Sequence, residues 1–496
     1  MKKIFIFLSA FSSCAVFGQH EFSSFTATGR GGATSFVTDY QAVGINPANL
    51  GWASKYEDKK FTMGLSEFSY SVHSEVLTKQ ELRDAFSATI SRDSLSAFTY
   101  DEKLKAAQEF ANSGMALDMD LGSFGFAYND EKLGGIAFRI NDQFNLYSRF
   151  NETTSEILFL GKLAPYFDSL VYVDPTSLDT SQIANYENIS QDSMQHVVSG
   201  FTNSPNPISE IINGTHISFS WMREYNLSYG RQIFEIEDKL NIYGGIGLKY
   251  MQGFGYVDIK SEDNVLSAFS SISPIFPIDY GGADSLNPSA VVQPEGSFMP
   301  KPVGSGFGVD LGLSFMIADK VKIGLAYTNI GSMTWNGNVY SINDTSIYDT
   351  ESAGLQNYSV FQQLGDVTGD EGLFEWQGIE EKKVSLPSTF RLGASFKVKE
   401  KAELGVDVIV PTNEGVGNIQ KAVIGLGGDL YPLPWLRLSA GFLTGGNYDS
   451  QIPVGITFVS GDGSWEAGFA SRDAITFFSQ NGPTLSLSMG FMRFRF

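Results

Sequence analysis

Leu240-Asn241-Ile242-Tyr243-Gly244-Gly245-Ile246-Gly247-Leu248-Lys249-Tyr250 alternates, its even positions mainly apolar and its odd ones polar, small or mixed. Period 2 over ten or more residues is long for a soluble strand and suits a tilted membrane strand. Phe307, Val309, Leu311, Leu313, Phe315 and Ile317 make a similar row. So do Ile217, Phe219 and Trp221, continuing through Tyr225, Leu227 and Tyr229.

Working outward, fourteen such segments occur, at about 60–73, 115–128, 133–149, 216–230, 239–258, 305–317, 321–341, 387–398, 402–411, 419–430, 434–444, 452–460, 464–478 and 483–496. The seventh needs a kink or bulge near Gly331. The connections alternate as well. Asn129–Lys132, Arg231–Asp238, Ala318–Lys320, Glu400 with its neighbours, Tyr431–Pro434 and Gly461–Gly463 are short; 74–114, 150–215, 259–304 and 342–386 are long. Short turns on one side and long loops on the other are the outer-membrane barrel pattern, which a soluble β-sandwich has no reason to adopt. An even strand count puts both termini on the short-turn, periplasmic side. No apolar run in the mature chain reaches the ~18 residues of a spanning helix. A membrane protein of this kind must then be a closed barrel, because lipid satisfies no open sheet edge. The fold class expected is all-β: a 14-stranded antiparallel transmembrane barrel in outer-membrane lipid, with long, partly helical extracellular loops.

The last segment ends Met492-Arg493-Phe494-Arg495-Phe496. A terminal Phe after alternating apolar residues looks like the signal read by the barrel-assembly machinery; the plainer reading is an ordinary edge strand. The apolar register of Leu485, Leu487, Met489 and Phe491 switches at Met492, which predicts a bulge there.

Residues 1–19 read as a cleavable signal: Lys2 and Lys3, then a mostly apolar Ile4–Phe11 too short to span a bilayer. Phe11-Ser12-Ser13-Cys14 is a poor lipobox. Cys14, the only cysteine, leaves with the signal, so no disulfide framework or thiolate site remains. Losing Lys2 and Lys3 takes the formal charge from −21 to −23. Nucleic-acid binding does not fit that charge, since phosphate contacts need Lys and Arg. An acidic, secreted, Phe-, Tyr- and Gly-rich chain fits a bacterial envelope protein.

Between signal and barrel runs Gly29-Arg30-Gly31-Gly32-Ala33, then Asp39, then Asn46-Pro47-Ala48. This run is neither amphipathic nor a strand, and its place before a barrel points to an internal plug. The division expected is signal 1–19, plug or hatch 20–58, and barrel 59–496. The alternation also places Asp118, Asp120, Arg139, Glu224, Lys249, Asp310, Arg391, Asp407 and Glu466 in the lumen. Mixed signs do not make an open ion pore. They suit holding something by ion pairs and hydrogen bonds, either the plug through Arg30 and Asp39 or one another across the wall.

Thr78 with Glu81 and Thr99 with Glu102 match capping boxes, and Thr154–Phe167 carries a third helical pattern. The segment 265–278 is apolar for an outer loop. Leu266, Phe269, Ile272, Ile275 and Phe276 either line a greasy groove for a hydrophobic ligand or pack the loop against its neighbours. Asp366–Gly372 departs from a calcium loop at its Gly, and Gln377 stands where the closing Glu belongs. Asp-Ser-apolar tripeptides at Asp93, Asp168, Asp192 and Asp284 resemble an O-glycosylation sequon. His20, His73, His196 and His216 form no metal-spaced pair, and no complete hydrolase, nucleotide-binding or zinc motif occurs. Neither an enzyme nor a cofactor or metal site is expected.

Gly29-Arg30-Gly31-Gly32-Ala33, Asp39 and Asn46-Pro47-Ala48-Asn49-Leu50 closely resemble the hatch of the FadL/TodX outer-membrane transporters. Tyr431-Pro432-Leu433-Pro434-Trp435-Leu436-Arg437 is similar to a periplasmic turn of that family, and the signal and loop style resemble its Bacteroidota branch. The resemblance implies a fourteen-stranded barrel, a luminal hatch, and uptake of long-chain fatty acids or other hydrophobic molecules. The superfamily also includes PorV-like proteins. They imply the alternative, a non-transporting component or partner of a type 9 secretion, gliding or assembly complex.

Overall fold

The computed structural model describes residues 24–56, 59–73, 99–112, 114–185, 190–237, 239–274, 299–342, 344–355, 374–398, 401–415, 417–419, 421–446, 448–474 and 484–496. The signal with Cys14, His20, the Thr78 helix, Asp93, Asp284, Ile275, Phe276 and the Asp366–Gly372 loop lie outside those residues.

Fourteen antiparallel strands close into one barrel. In chain order they are β1 Phe61–His73, β2 Met115–Asp130, β3 Gly134–Arg149, β4 His216–Ile236, β5 Leu240–Glu262, β6 Gly304–Ile317 and β7 Val321–Ile342. The ring continues with β8 Thr389–Val398, β9 Ala402–Pro411, β10 Val423–Leu433, β11 Leu436–Gly445, β12 Val454–Val459, β13 Trp465–Ser471 and β14 Thr484–Arg495. β1 pairs with β2 on one side and with β14 on the other, Thr62 opposite Arg495, so no edge remains. At that seam Lys60 N and Phe61 N donate to Phe496 O at 2.9 and 3.1 Å. No described helix is long and apolar enough to cross a membrane.

The alternation sorts side chains by solvent. Leu227, Leu248, Phe307, Leu392, Leu426 and Phe442 are exposed on the outer surface. Asp118, Asp120, Glu224, Lys249, Asp310 and Asp407 are buried inside. Apolar outside and polar inside is the dyad of a membrane-spanning barrel, the reverse of a soluble core. The short turns and both ends of the described barrel gather at one mouth; the long connections gather at the other.

Both expected irregularities are present. In β7 the pairing slips so that Thr328 and Asn329 oppose Asp310 alone, with Asn329 at φ 59°. The bulge thus sits at Asn329 rather than at Gly331, because Asn tolerates the left-handed backbone and its N–H donates to Asp310 Oδ1 at 2.8 Å. In β14, Phe491 and Met492 are consecutive and both exposed, after which Arg493 turns inward. The slip is shared by the neighbouring strands. β13 shifts between Glu466 and Gly468, β1 loses pairing at Ser66 (φ 54°), and β2 shifts between Gly122 and Phe124. A row of bulges therefore crosses four adjacent strands and reverses which side chains face the lumen below it.

At the long-loop mouth, α3 (Tyr100–Asn112) and α4 (Glu152–Leu160) pack together through Ala107, Phe110, Phe159 and Leu158, over Val72 and Leu485 at the strand tops. (α1, Phe25–Thr28, and α2, Asn49–Tyr56, belong to the luminal segment below.) α4 begins at Glu152 because Asn151 Oδ1 accepts from Thr154 N at 2.7 Å, and it gives way to a 3-10 turn at Gly161–Leu163. The loop 150–215 also holds something its sequence did not announce. Ser169–Val173, Thr180–Ala184 and Val197–Phe201 join Asp349–Thr350 in a separate four-stranded sheet. Each piece is too short for its period to stand out.

The Thr99 capping box forms. Thr99 N and Oγ1 donate to Glu102 Oε2 at 2.7 and 2.9 Å, and Glu102 N donates to Thr99 Oγ1 at 3.3 Å. The Thr99 backbone and side-chain hydrogen bonds hold the Glu102 carboxyl below its ordinary 4.5. A pKa depressed on folding adds stability above the ordinary value and loses it as pH falls through the lowered one. Hydrogen exchange in α3, corrected for its intrinsic rate, will accelerate as pH falls below the ordinary 4.5 and through the lowered value. Glu102→Gln flattens that response; identical profiles for both proteins would refute the assignment.

Candidate functional site

Residues 24–56 run through the lumen. Ser24 Oγ accepts from Ala27 N and caps α1. Gly31 and Gly32 follow at φ 60° and 89°, a reversal that only glycine makes at low cost. Asp39 Oδ1 accepts from Gln41 N at 3.0 Å and opens a 3-10 turn, Asp39–Ala42. Asn46 Oδ1 accepts from Ala48 N at 3.0 Å, and Pro47 fixes the dihedral leading into α2. Thus the Gly-rich and Asn-Pro-Ala motifs are two turns that fold the chain back within a narrow tube. Phe25, Ala33, Tyr40, Ala48 and Leu50 are all buried.

The wall makes room for it. A Cβ on Gly425 would meet Gly31 O, and one on Gly427 would meet Arg30 O. A Cβ on Gly245 would meet Pro47 C and Ala48 N, and one on Gly64 or Gly125 the Tyr40 ring. Backbone and aromatic ring approach the wall at these places because the wall has no side chains there.

Polar groups then tie the segment to strands around the ring. Arg30 Nε and Nη2 donate to Asp429 Oδ2 on β10 at 2.9 and 2.5 Å, with the guanidinium 4.4 Å from the Phe36 ring centre. Thr34 N donates to Asp407 Oδ2 on β9 at 3.2 Å, and Arg391 Nη1 on β8 donates to Thr34 Oγ1 at 2.8 Å and to Asp407 Oδ2 at 3.1 Å. Asn46 Nδ2 donates to Leu313 O and Ser314 Oγ on β6, each at 3.3 Å. Tyr40 OH and Gln41 Nε2 donate to Glu67 Oε1 on β1 at 2.6 and 2.8 Å. Asp39 Oδ2 accepts from Arg493 Nη2 and pairs with Arg495 Nη2 at 3.4 Å, both on β14. Asp39 and Tyr40 thereby grip the two sides of the β1–β14 seam. They meet their partners only because the row of bulges turned Glu67, Arg493 and Arg495 inward.

All nine charges expected in the lumen are buried. Arg391 and Asp407 touch the segment directly. Glu466 reaches it through Arg493, and Arg139 lies 3.8 Å from Glu67. Lys249 instead pairs with Asp310 at 3.2 Å and Glu224 at 3.3 Å across the wall. Asp118 and Asp120 gather with Ser69, Ser71, Arg472, Ser486 and Ser488 against Thr28. Arg30 and Asp39 anchor to different strands and not to each other.

The anchors absent from the sequence expectation are Asp429, Glu67, Arg493 and Arg495. Asp429 shares the inward parity of Gly425 and Gly427, and the switch at Met492 already reverses Arg493; parity would have found both. Of the apolar candidates, Leu266 and Phe269 belong to Val265–Ile272, a strand that returns along β5 through Asp263 and Asn264, both at positive φ. Leu266 packs beside Ala268 and Tyr340, Phe269 beside Tyr256 and Trp335, and Ile272 ends the strand. Among the described residues no group of three or more His, Cys, Asp or Glu stands ready for a metal ion.

Fold and site define a class: a fourteen-stranded membrane barrel whose lumen is filled by its own N-terminal segment. The chain belongs to the family of unknown function DUF5723, whose sequence model matches residues 176–457. No curated protein matches it. Among solved structures it is similar to the Pseudomonas putida toluene transporter TodX at 10% identity and TM-score 0.37, covering 97% of this chain and 98% of that one. A Pseudomonas aeruginosa FadL homologue matches at 11% identity and TM-score 0.37, over 97% of each chain. The translocator domain of the autotransporter NalP from Neisseria meningitidis matches at 8% identity and TM-score 0.31, over 90% of this chain and 91% of that one. At such scores these likenesses say nothing of function.

Proposed function

We propose that this protein is an outer-membrane channel for hydrophobic compounds, long-chain fatty acids among them, with its short-turn mouth and both termini in the periplasm. The observation that carries the reading is the luminal segment. It is two turns and two short helices with no strand of its own, docked to the wall by side-chain hydrogen bonds and ion pairs and by small apolar clusters, Val37 and Ile45 against Ile409 and Val423, and Ala48 and Trp52 against Tyr243 and Met316. A hatch of that kind fits a gate better than a structural filler. The resemblance of residues 27–51 to the FadL/TodX hatch supports the hydrophobic substrate class.

Extraction in a mild detergent followed by mass spectrometry of the co-purifying molecules tests it. Acyl or other apolar ligands at near-stoichiometric yield are expected. A purified barrel that carries a fixed protein partner and no such ligand would favour the second reading, a non-transporting component of a secretion or assembly complex. One observation favours that alternative. The outer four-stranded sheet exposes Val198, and the residues flanking its strands expose Leu178 and Tyr348, apolar surface that a passive channel does not need.

A further inference from the structure

A cavity of about 190 Å³ opens between the luminal segment and the wall at the short-turn mouth. Its charge is layered. Arg30, Lys322, Lys397, Arg437, Arg493 and Arg495 line it, against two carboxylates, Asp319 and Glu403, of which Glu403 pairs with Lys322 Nζ at 2.8 Å. The acids that balance the arginines, Asp39, Asp429 and Glu466, do not line it; their side chains are sealed behind, at 0%, 0% and 4% exposure. The open surface is therefore cationic in a chain whose formal charge is −21. A concave surface of one sign with low-dielectric walls focuses its field on whatever enters.

The guanidiniums also keep unused donors. Nε of Arg437 and Nε of Arg493 make no hydrogen bond among the described residues, although both are sealed from solvent and Arg437 Nε lies 3.8 Å from Asp429 Oδ2. Guanidinium forks match the geometry of carboxylate and phosphate oxygens. The volume equals several waters of about 30 Å³ each, room for one such group with part of its hydration. One flank is aromatic: Lys322 Nζ lies 4.1 Å from the Trp52 ring centre, and Phe36 and Tyr431 also face the space.

We propose that this cavity is a binding site for a small oxyanion, a phosphate or carboxylate group, held at the short-turn mouth by Lys322, Lys397 and the arginine cluster. The anion is either free in solution or the headgroup of an amphiphile whose tail lies on the aromatic flank. The proposal stands apart from what the lumen conducts, since the segment itself forms one side of the site, which is complete while the lumen is filled.

The test is calorimetric titration of the purified full-length barrel in non-ionic detergent with inorganic phosphate, at fixed ionic strength, and separately with dodecyl phosphate. Saturable phosphate binding is expected, weakened about tenfold by Lys322→Gln/Lys397→Gln, the loss of charge-assisted hydrogen bonds. Lys397→Gln alone changes one exposed charge and keeps the test open if the double variant misfolds. Dodecyl phosphate binding more tightly than phosphate assigns the site to a headgroup, and equal affinity assigns it to the free ion; both support the oxyanion site. No saturable heat from either probe, or unchanged affinity in folded variants, overturns it.

Discussion

Asp39→Ala will lower the stability of the barrel by about 3 kcal/mol, the low end of what removing one partner from a buried ion pair costs. Asp39 is fully buried and faces two guanidiniums, Arg493 and Arg495. Without its carboxylate both guanidiniums are left with Glu466 as the nearest acid. The low end applies because Arg495 keeps 19% exposure and water screens it. Arg493→Ala in the same chain will recover part of the loss, since the uncompensated charge is then gone and the two changes are coupled. Urea unfolding in lipid vesicles of the wild type, both single variants and the double measures this. Additive losses, or an Asp39→Ala protein as stable as the parent, would show that the seam is not held this way.

Deleting residues 27–50 will leave a folded barrel and open it. The wall carries its own backbone pairing and apolar exterior, so assembly does not need the segment. The luminal charges, no longer covered, are taken up by water. Eight strands close around their own side chains, whereas sixteen enclose an aqueous channel. At fourteen, an emptied lumen admits small polar solutes, and their permeation into proteoliposomes will rise at least roughly tenfold. Gly425→Leu should do the same with the segment present, because the new side chain needs the space of Gly31 O. Asp39→Ala, which loosens one anchor of several, should fall between. A deletion protein that is folded yet as tight as the parent would falsify the hatch.

The strands and the segment were legible in the sequence for different reasons. Strands announce themselves because lipid outside and polar contents inside impose an alternation over ten or more residues. The break at Met492 was visible for the same reason: it interrupts a pattern that is otherwise kept. Short outer strands such as Thr180–Ala184, and Val265–Ile272 with its mixed faces, meet no such uniform solvent and leave no period to read. The segment was legible by contrast, as Gly and Pro turns that no strand tolerates.

What the sequence by itself determined is the barrel, its strand number, its two unlike mouths and the presence of something irregular within it. Each follows from local chemistry, the dyad of side chains and the turn residues, which neighbours along the chain carry. Only the tertiary structure decided where that segment is held. Asp39 meets Arg493 across 454 positions and Thr34 meets Arg391 across 357. Those meetings depend on ring closure and on four aligned bulges, and no local pattern encodes the register between strands that meet only when the ring is complete.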